Sequence, residues 1–364
     1  MNQRLQSLSH WMQQEQLSFA LITSTANVFY LSGFYSEPHE RLLALLIFPN
    51  DEPVLICPQM EVAQAKRSGW AYSIIGYSDI ENPWEHIYTH MNKRSVTVEN
   101  VAIEKTHLSL ERYEQLCTYF SVRSTVNVEE KLRQLRMIKD EQEIAILRQA
   151  ASLADYGVEV GVKAIAEGKT ELEVIAAIEY ELKKKGVRQM SFATMVLTGA
   201  KTADPHGTPG LASIQKGDFV LFDLGVILDG YCSDITRTVM FGQPNDEQKQ
   251  IYHTVLNAQL AAIAASKPGT EIGAVDKAAR QLIEQAGYGS YFTHRVGHGL
   301  GIEVHEYPSM NATNTMPLEP GMVFTIEPGI YIPDIGGVRI EDDILITENG
   351  AEILTNYPKE FILL

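Results

Sequence analysis

Five residues in separate motifs of this chain make sense together only around positive charge: Asp223 in FDLG, Asp234 in YCSDITRT, His298 in HRVGHGLG, Glu327 in TIEPG and Glu341 in VRIED. A lone Asp or His is more often a turn cap or a satisfied polar group than a ligand. Four carboxylates gathered in one cleft repel each other and lose hydration, so such a group persists only where cations neutralise it.

The local patterns let the five converge. The segment FVLFDLGVILDGYCSDITRTVMF is two β-rich runs joined at Asp229-Gly230, a hairpin turn signal. With a two-residue loop Asp223 lies opposite Thr236, and Asp234 shares a face with Thr236 because side chains alternate along a strand. The two carboxylates are then diagonal neighbours, roughly 7–8 Å apart at the backbone, within reach of metals about 3.5–4 Å apart. A one-residue slip of the loop would turn one Asp to the other face. Glu327 ends the apolar run MVFTIEP, and Glu341 sits in GVRIEDDILIT on the same face as Arg339. Pro333, Gly336 and Gly337 between them allow a second reversal. The competing reading of that hairpin alone is an edge strand with solvated charges.

In FTHRVGHGLGIEVHEYP, His294, His298 and His305 are interleaved with Gly297, Gly299 and Gly301, which permit close backbone approach. This is G-x-G-x-G after a helix, not a dinucleotide fingerprint. His206 stands upstream in ADPHGTP, where the bland reading is a simple turn.

At 364 residues two domains are expected. The first part alternates strand-like and helix-like stretches, an α/β layer domain, with strands expected at 19–22, 42–48, 53–57 and 101–103. Helices are expected at 3–14, 60–66 and 110–119. The charged stretch VEEKLRQLRMIKD marks the boundary, placed as 1–127 and 128–364. Helices at 141–167, 172–185, 247–265 and 274–286 then alternate with the strands that carry the acidic residues. A net charge of −16 argues against nucleic-acid and anionic-membrane partners. Cys57, Cys117 and Cys232, with no CxxC, read as buried thiols of a reducing compartment. The N-terminus lacks a signal-peptide core, and no apolar run nears the ~20 residues of a membrane span, so the expected location is the cytoplasm.

In order and spacing, FDLG, SDITRT, HxxxHGxG, TIEPG and RIED resemble the pita-bread metallopeptidases, which include methionine aminopeptidase, aminopeptidase P and prolidase. The resemblance covers roughly residues 135–364. NVFYLSGF and SEPHER resemble the creatinase-type N-terminal domain, and the nearest likeness is to bacterial Xaa-Pro dipeptidases. The resemblance implies an α/β creatinase-like domain followed by an α+β pita-bread catalytic domain, in a homodimer. It makes Asp223, Asp234, His298, Glu327 and Glu341 the ligands of two divalent ions, with Asp234 bridging alongside Glu341. His206, His294, His305 and Arg339 match the family's outer ring of substrate and proton-shuttle residues, and Arg295 is the candidate for the prolyl carboxylate. The SEPHER loop would cap a partner's site, its bland reading being a polar surface turn. Two departures stand out. Lys201 occupies a position where many relatives have asparagine, and the residues after His305 lack the arginine of mammalian prolidases.

Four carboxylates and one imidazole suit Mn²⁺, Co²⁺, Fe²⁺ or Zn²⁺ without choosing among them, and the expected cofactor is two divalent ions, Mn²⁺ foremost. The implied reaction is hydrolysis of an Xaa-Pro dipeptide by a metal-bridging hydroxide. Glu327 shuttles the proton, His305 and His206 steady the oxyanion, and His294 with Arg295 bind the free carboxylate. The rivals are an aminopeptidase P acting on longer peptides, a non-catalytic pita-bread peptide-binding module, a metal-free creatinase-like hydrolase and a structural Ca²⁺ site. The last does not use a histidine ligand.

Overall fold

The computed structural model describes residues 2–364, which divide into one compact unit ending at Arg136 and a second spanning Met137–Leu364. The first unit is built on a six-stranded sheet. From one edge to the other, its strands are Ser73–Tyr77, Val54–Pro58, Ala44–Ile47, Phe19–Ile22, Asn100–Ile103 and Ser124–Asn127. Pairing is parallel at both edges and antiparallel on either side of Ala44–Ile47. FALI and ALLI are buried at every residue, as strands covered on both faces must be. The helices Thr25–Ser32 and Pro83–Lys93 and the strands Ser73–Tyr77 and Ser124–Asn127 add to the sequence expectation. In Pro83–Lys93, buried Trp84, Ile87 and Met91 do stand at helical spacing, a period the sequence expectation passed over. Buried Glu104 joins the start of Thr25–Ser32 to the sheet by accepting from Thr23 N, Ser24 N, Ser24 Oγ and Asn27 Nδ2.

In the second unit, helix starts follow local chemistry. Asp140, Thr170 and Asn245 each form a capping box, opening Glu141–Ala164, Glu171–Lys184 and Asp246–Ala265. Two hairpins lie between the helix pairs, and strand alternation decides what each face does. On Asp218–Leu224, Val220, Phe222 and Leu224 pack with Ala154, Val158 and Ile178 of the first helix pair. Asp223 therefore projects from the opposite face. On Val323–Ile326 and Asp342–Thr347, Phe324, Ile326, Ile344 and Ile346 pack with Val255, Ala258 and Val275 of Asp246–Ala265 and Ile272–Gln285. Glu327 and Glu341 continue the other face. Each hairpin thus buries one face on its own helices and turns its polar face inward.

Phe222 anchors the strand beside Asp223 and is fully buried. Phe222→Ala should cost about 3–5 kcal/mol, read as a lowered urea midpoint by circular dichroism. A loss below about 1 kcal/mol would contradict this account of the core.

Candidate metal centre

The first hairpin closes at Leu228↔Tyr231, with Asp229 and Gly230 at φ 46° and 86°. These are the positive values a two-residue type I′ turn requires. Thr236 accordingly pairs with Asp223, the register that the two-residue loop predicts. Continued along the chain, it sets Asp234 opposite Gly225, where strand pairing lapses between Tyr231–Cys232 and Ile235–Phe241.

The second hairpin behaves alike. Its ladder runs from Val323↔Leu345 to Ile326↔Asp342, and resumes at Gly329↔Arg339. Both registers place Glu327 opposite Glu341, in the gap between the two ladders. GVRIEDDILIT is therefore two strands, Gly336–Arg339 and Asp342–Thr347, with Glu341 at the break. In both hairpins a carboxylate sits where the backbone ladder is interrupted.

His298 enters on the short strand Gly297–Gly299. A Cβ on Gly297 would lie 1.9 Å from Thr325 O, and one on Gly299 would lie 2.3 Å from Tyr307 O, so glycine on both sides lets the imidazole reach the centre. Its Nδ1 is 3.1 Å from Gly299 O. That contact calls for the proton on Nδ1 and leaves the Nε2 lone pair facing the acids. Nε2 lies 3.4 Å from Glu327 Oε1 and 3.8 Å from Asp234 Oδ2. Asp234, His298 and Glu341 are buried and offer ligand atoms all within 4.8 Å of one another, a group able to hold a metal ion.

Polar neighbours orient these acids. Thr236 Oγ1 donates to Glu341 Oε2 at 2.5 Å and accepts from Arg339 Nε at 3.1 Å. Arg339 Nη2 pairs with Asp223 Oδ2 at 2.5 Å, and its Nη1 donates to Tyr331 Oη at 3.0 Å. Thr325 Oγ1 accepts from His298 N and donates toward Glu327 Oε1 at 3.4 Å. Asp343 Oδ2 accepts from Asp234 N at 3.0 Å.

A cavity of about 630 Å³ gathers the five candidate ligands with His206, His294, Arg295, His305, Arg339 and Tyr331. The His305 ring meets that of His298 at 4.1 Å. His206 is exposed, on the loop between the turn Gly199–Ala203 and Gly210.

His294 lines the cavity, with its Nδ1 bonded to Arg295 O at 2.8 Å and its Nε2 to Tyr331 Oη at 2.9 Å. Burial also pushes its pKa down to about 4. Arg295, held by Ser309 Oγ at 3.0 Å, is the cation on that wall. Tyr331, Thr236 and Thr325 were not singled out from the sequence. Strand alternation places each on the inner face, so period two was the available signal.

The centre fits a cation. Among the described residues, Asp234, Glu327 and Glu341 have no Lys or Arg ion pair, and Asp234 Oδ1 is buried with no hydrogen-bond partner. Burial, then repulsion from Glu341 and Asp223, raises the Asp234 pKa well above the usual carboxylate range. Burial, then Glu327 and Asp223, does the same to Glu341, and burial lifts Glu327 to about 7. Burial, followed by His305, lowers His298 to about 3, so its imidazole is neutral and ready to ligate.

The metal-free protein should show this in its stability. Carboxylates with raised pKa values bind protons on folding, so their protonated forms favour the folded state and stability falls as pH rises through the folded pKa. His294 and His298 act in the opposite sense, but only below their unfolded value of about 6.5. From pH 6.5 to 8.0 the melting temperature of chelator-treated protein should fall. The slope should be on the order of 1.4 kcal/mol per pH unit for each acid still protonated in the folded state. Saturating Mn²⁺ should remove that slope. A flat or rising melting temperature without metal would contradict the electrostatic account.

The model of metallopeptidase family M24 matches residues 145–348, and that of the creatinase/prolidase N-terminal domain matches residues 4–138. YkvY of Bacillus subtilis, provisionally named a dipeptidase, is 58% identical over 361 residues, covering 99% of each chain. The crystal structure of the prolidase from Pyrococcus horikoshii OT3 is 37% identical with a TM-score of 0.92, over 99% of this chain and 100% of that one. The X-Pro aminopeptidase from Thermotoga maritima MSB8 is 32% identical with a TM-score of 0.86, over 96% of this chain and 99% of that one. No helix among the described residues is long and apolar enough to cross a membrane. The chain is a metallopeptidase of family M24, with a creatinase-type N-terminal domain followed in sequence by a pita-bread catalytic domain.

Proposed function

We propose that the protein is an Xaa-Pro dipeptidase that works with two divalent ions, Mn²⁺ foremost, and acts as a homodimer. Asp223, Asp234, His298, Glu327 and Glu341 would hold the ions. When bound, such ions polarise the scissile carbonyl and lower the pKa of water.

The chain's own residues supply the rest. Glu327, whose carboxylate borders the cavity, would accept a proton from the attacking water and deliver it to the prolyl nitrogen. That nitrogen is a tertiary amide and needs a proton to leave. Burial keeps His305 neutral, so its imidazole can donate a hydrogen bond to the developing oxyanion. His206 faces the same cavity from its loop and shares that task. Arg339 holds Asp223 and fixes Tyr331, which in turn orients His294.

The observation that carries the dipeptidase reading is Arg295. Its guanidinium borders the cavity and is tethered by Ser309. A free prolyl carboxylate can pair with it, whereas a longer peptide has an amide there and leaves the cation unpaired. An aminopeptidase P would use the same metal centre, so substrate length separates the two. Mn²⁺-loaded protein should cleave Ala-Pro rapidly and leave Ala-Pro-Ala and Met-Ala-Ser largely intact. Preference for Ala-Pro-Ala would move it to the aminopeptidase reading. No cleavage with metal bound would favour a peptide-binding module.

Two substitutions refine the assignment. Glu327→Gln should lower kcat about 10²–10⁴-fold while largely retaining metal, and a wild-type kcat would remove its shuttle role. Arg295→Ala should raise KM for Ala-Pro roughly 10- to 100-fold, the scale of a lost charge-assisted hydrogen bond, and narrow the discrimination against Ala-Pro-Ala. Unchanged discrimination would place the carboxylate elsewhere.

A further inference from the structure

Lys201 has a specific partner away from the cavity. Its Nζ donates to Glu171 Oε2 at 2.6 Å, and the Glu171 side chain is fully buried at the first turn of Glu171–Lys184. The same carboxylate accepts Thr198 N on Oε1 at 3.0 Å and Gly210 N on Oε2 at 2.6 Å. Thr198 ends the strand Met195–Thr198, and Gly210 lies just beyond the His206 turn. One carboxylate therefore grips both ends of the segment 199–210 that presents His206 to the cavity.

The middle of that segment is seated as well. Buried Thr202 Oγ1 donates to Gly199 O and accepts from Gly337 N, both at 2.7 Å. A Cβ on Gly337 would lie 2.2 Å from Thr202 O, so the loop rests directly on the hairpin that carries Arg339. Arg339 Nη1 also reaches Pro205 O at 3.4 Å, one residue before His206. The loop's base is thus fixed by the catalytic hairpin and its two ends by Glu171. Lys201 is the only cation bonded to Glu171 among the described residues.

We infer that the Glu171–Lys201 pair is a latch that positions His206, which makes both members positioning residues rather than catalytic ones. The inference rests on the reading of His206 as a substrate-contacting group. Without the ammonium, a fully buried carboxylate keeps only two main-chain donors, an unfavourable state that loosening of the loop relieves by admitting water. His206 then loses its fixed distance to the scissile carbonyl.

The test uses the Mn²⁺-loaded full chain with Ala-Pro, in wild type and in Lys201→Met, Lys201→Arg, His206→Ala and the double variant Lys201→Met/His206→Ala. Lys201 is partly exposed, so Lys201→Met is the variant suited to keep the fold. Lys201→Gln, which keeps one donor, is the second choice should it not fold. Lys201→Met should lower kcat/KM roughly tenfold, the scale of a modestly misplaced contact. It should also speed hydrogen–deuterium exchange in the peptide covering residues 198–212, and Lys201→Arg should restore most of both. The decisive result is non-additivity, with Lys201→Met costing nothing further once His206 is alanine. A full additive loss, or wild-type kcat/KM in Lys201→Met, would overturn the latch. Wild-type kcat/KM in His206→Ala would instead overturn the role given to His206, leaving the latch nothing to position.

Discussion

Burial of carboxylates without compensating cations is the constraint from which the rest of the catalytic unit follows. Moving a carboxylate out of water costs several kcal/mol even after relaxation, and among the described residues Arg339 forms an ion pair with Asp223 alone. Asp234 and Glu341 are held close to His298 in spite of that cost, with one Asp234 oxygen unbonded. The cluster favours protons or cations, and the two compete for the same oxygens. Bound dications would turn a destabilising feature into a stabilising one, because a ligand that binds only the folded state adds its binding free energy to folding.

The fold meets this constraint with alternation rather than special loops. Two hairpins, each laid on its own helix pair, turn Asp223, Thr236, Glu327, Tyr331, Arg339 and Glu341 to the same interior. Their ladders lapse at Asp234 and between Glu327 and Glu341, where regular pairing would hold strands apart at fixed spacing. Asp223 therefore sits on a strand, and Asp234, Glu327 and Glu341 sit one residue beyond strand ends, while the proposed peptide-contacting side chains, His206, Arg295 and His305, come from loops and turns. Rigid elements give ligand precision, and loops give room for substrate preference.

Much of this was legible in the chain. The Asp229-Gly230 turn fixed the first register, and period two then fixed which face each acid occupies. The glycines around His298 announced a close approach. What the pattern hid was long-range. Reading Arg339 and Glu341 as one strand missed the break between two ladders, because local alternation does not show where a partner strand stops. The two bonded nitrogens of His294 depend on Tyr331 and on the carbonyl of Arg295, and no spacing rule links them. Lys201 looked like an anomaly of the site border. Its partner Glu171 is thirty positions away, and only the folded chain joins them.

The central claim is that this acid cluster exists to hold two dications. Equilibrium dialysis of chelator-stripped protein against Mn²⁺, with elemental analysis of the retained metal, tests it most directly. The account predicts two ions per chain, falling when Asp234 or Glu341 is replaced by its amide. Retention of no metal, or a full complement undisturbed by those replacements, would contradict it.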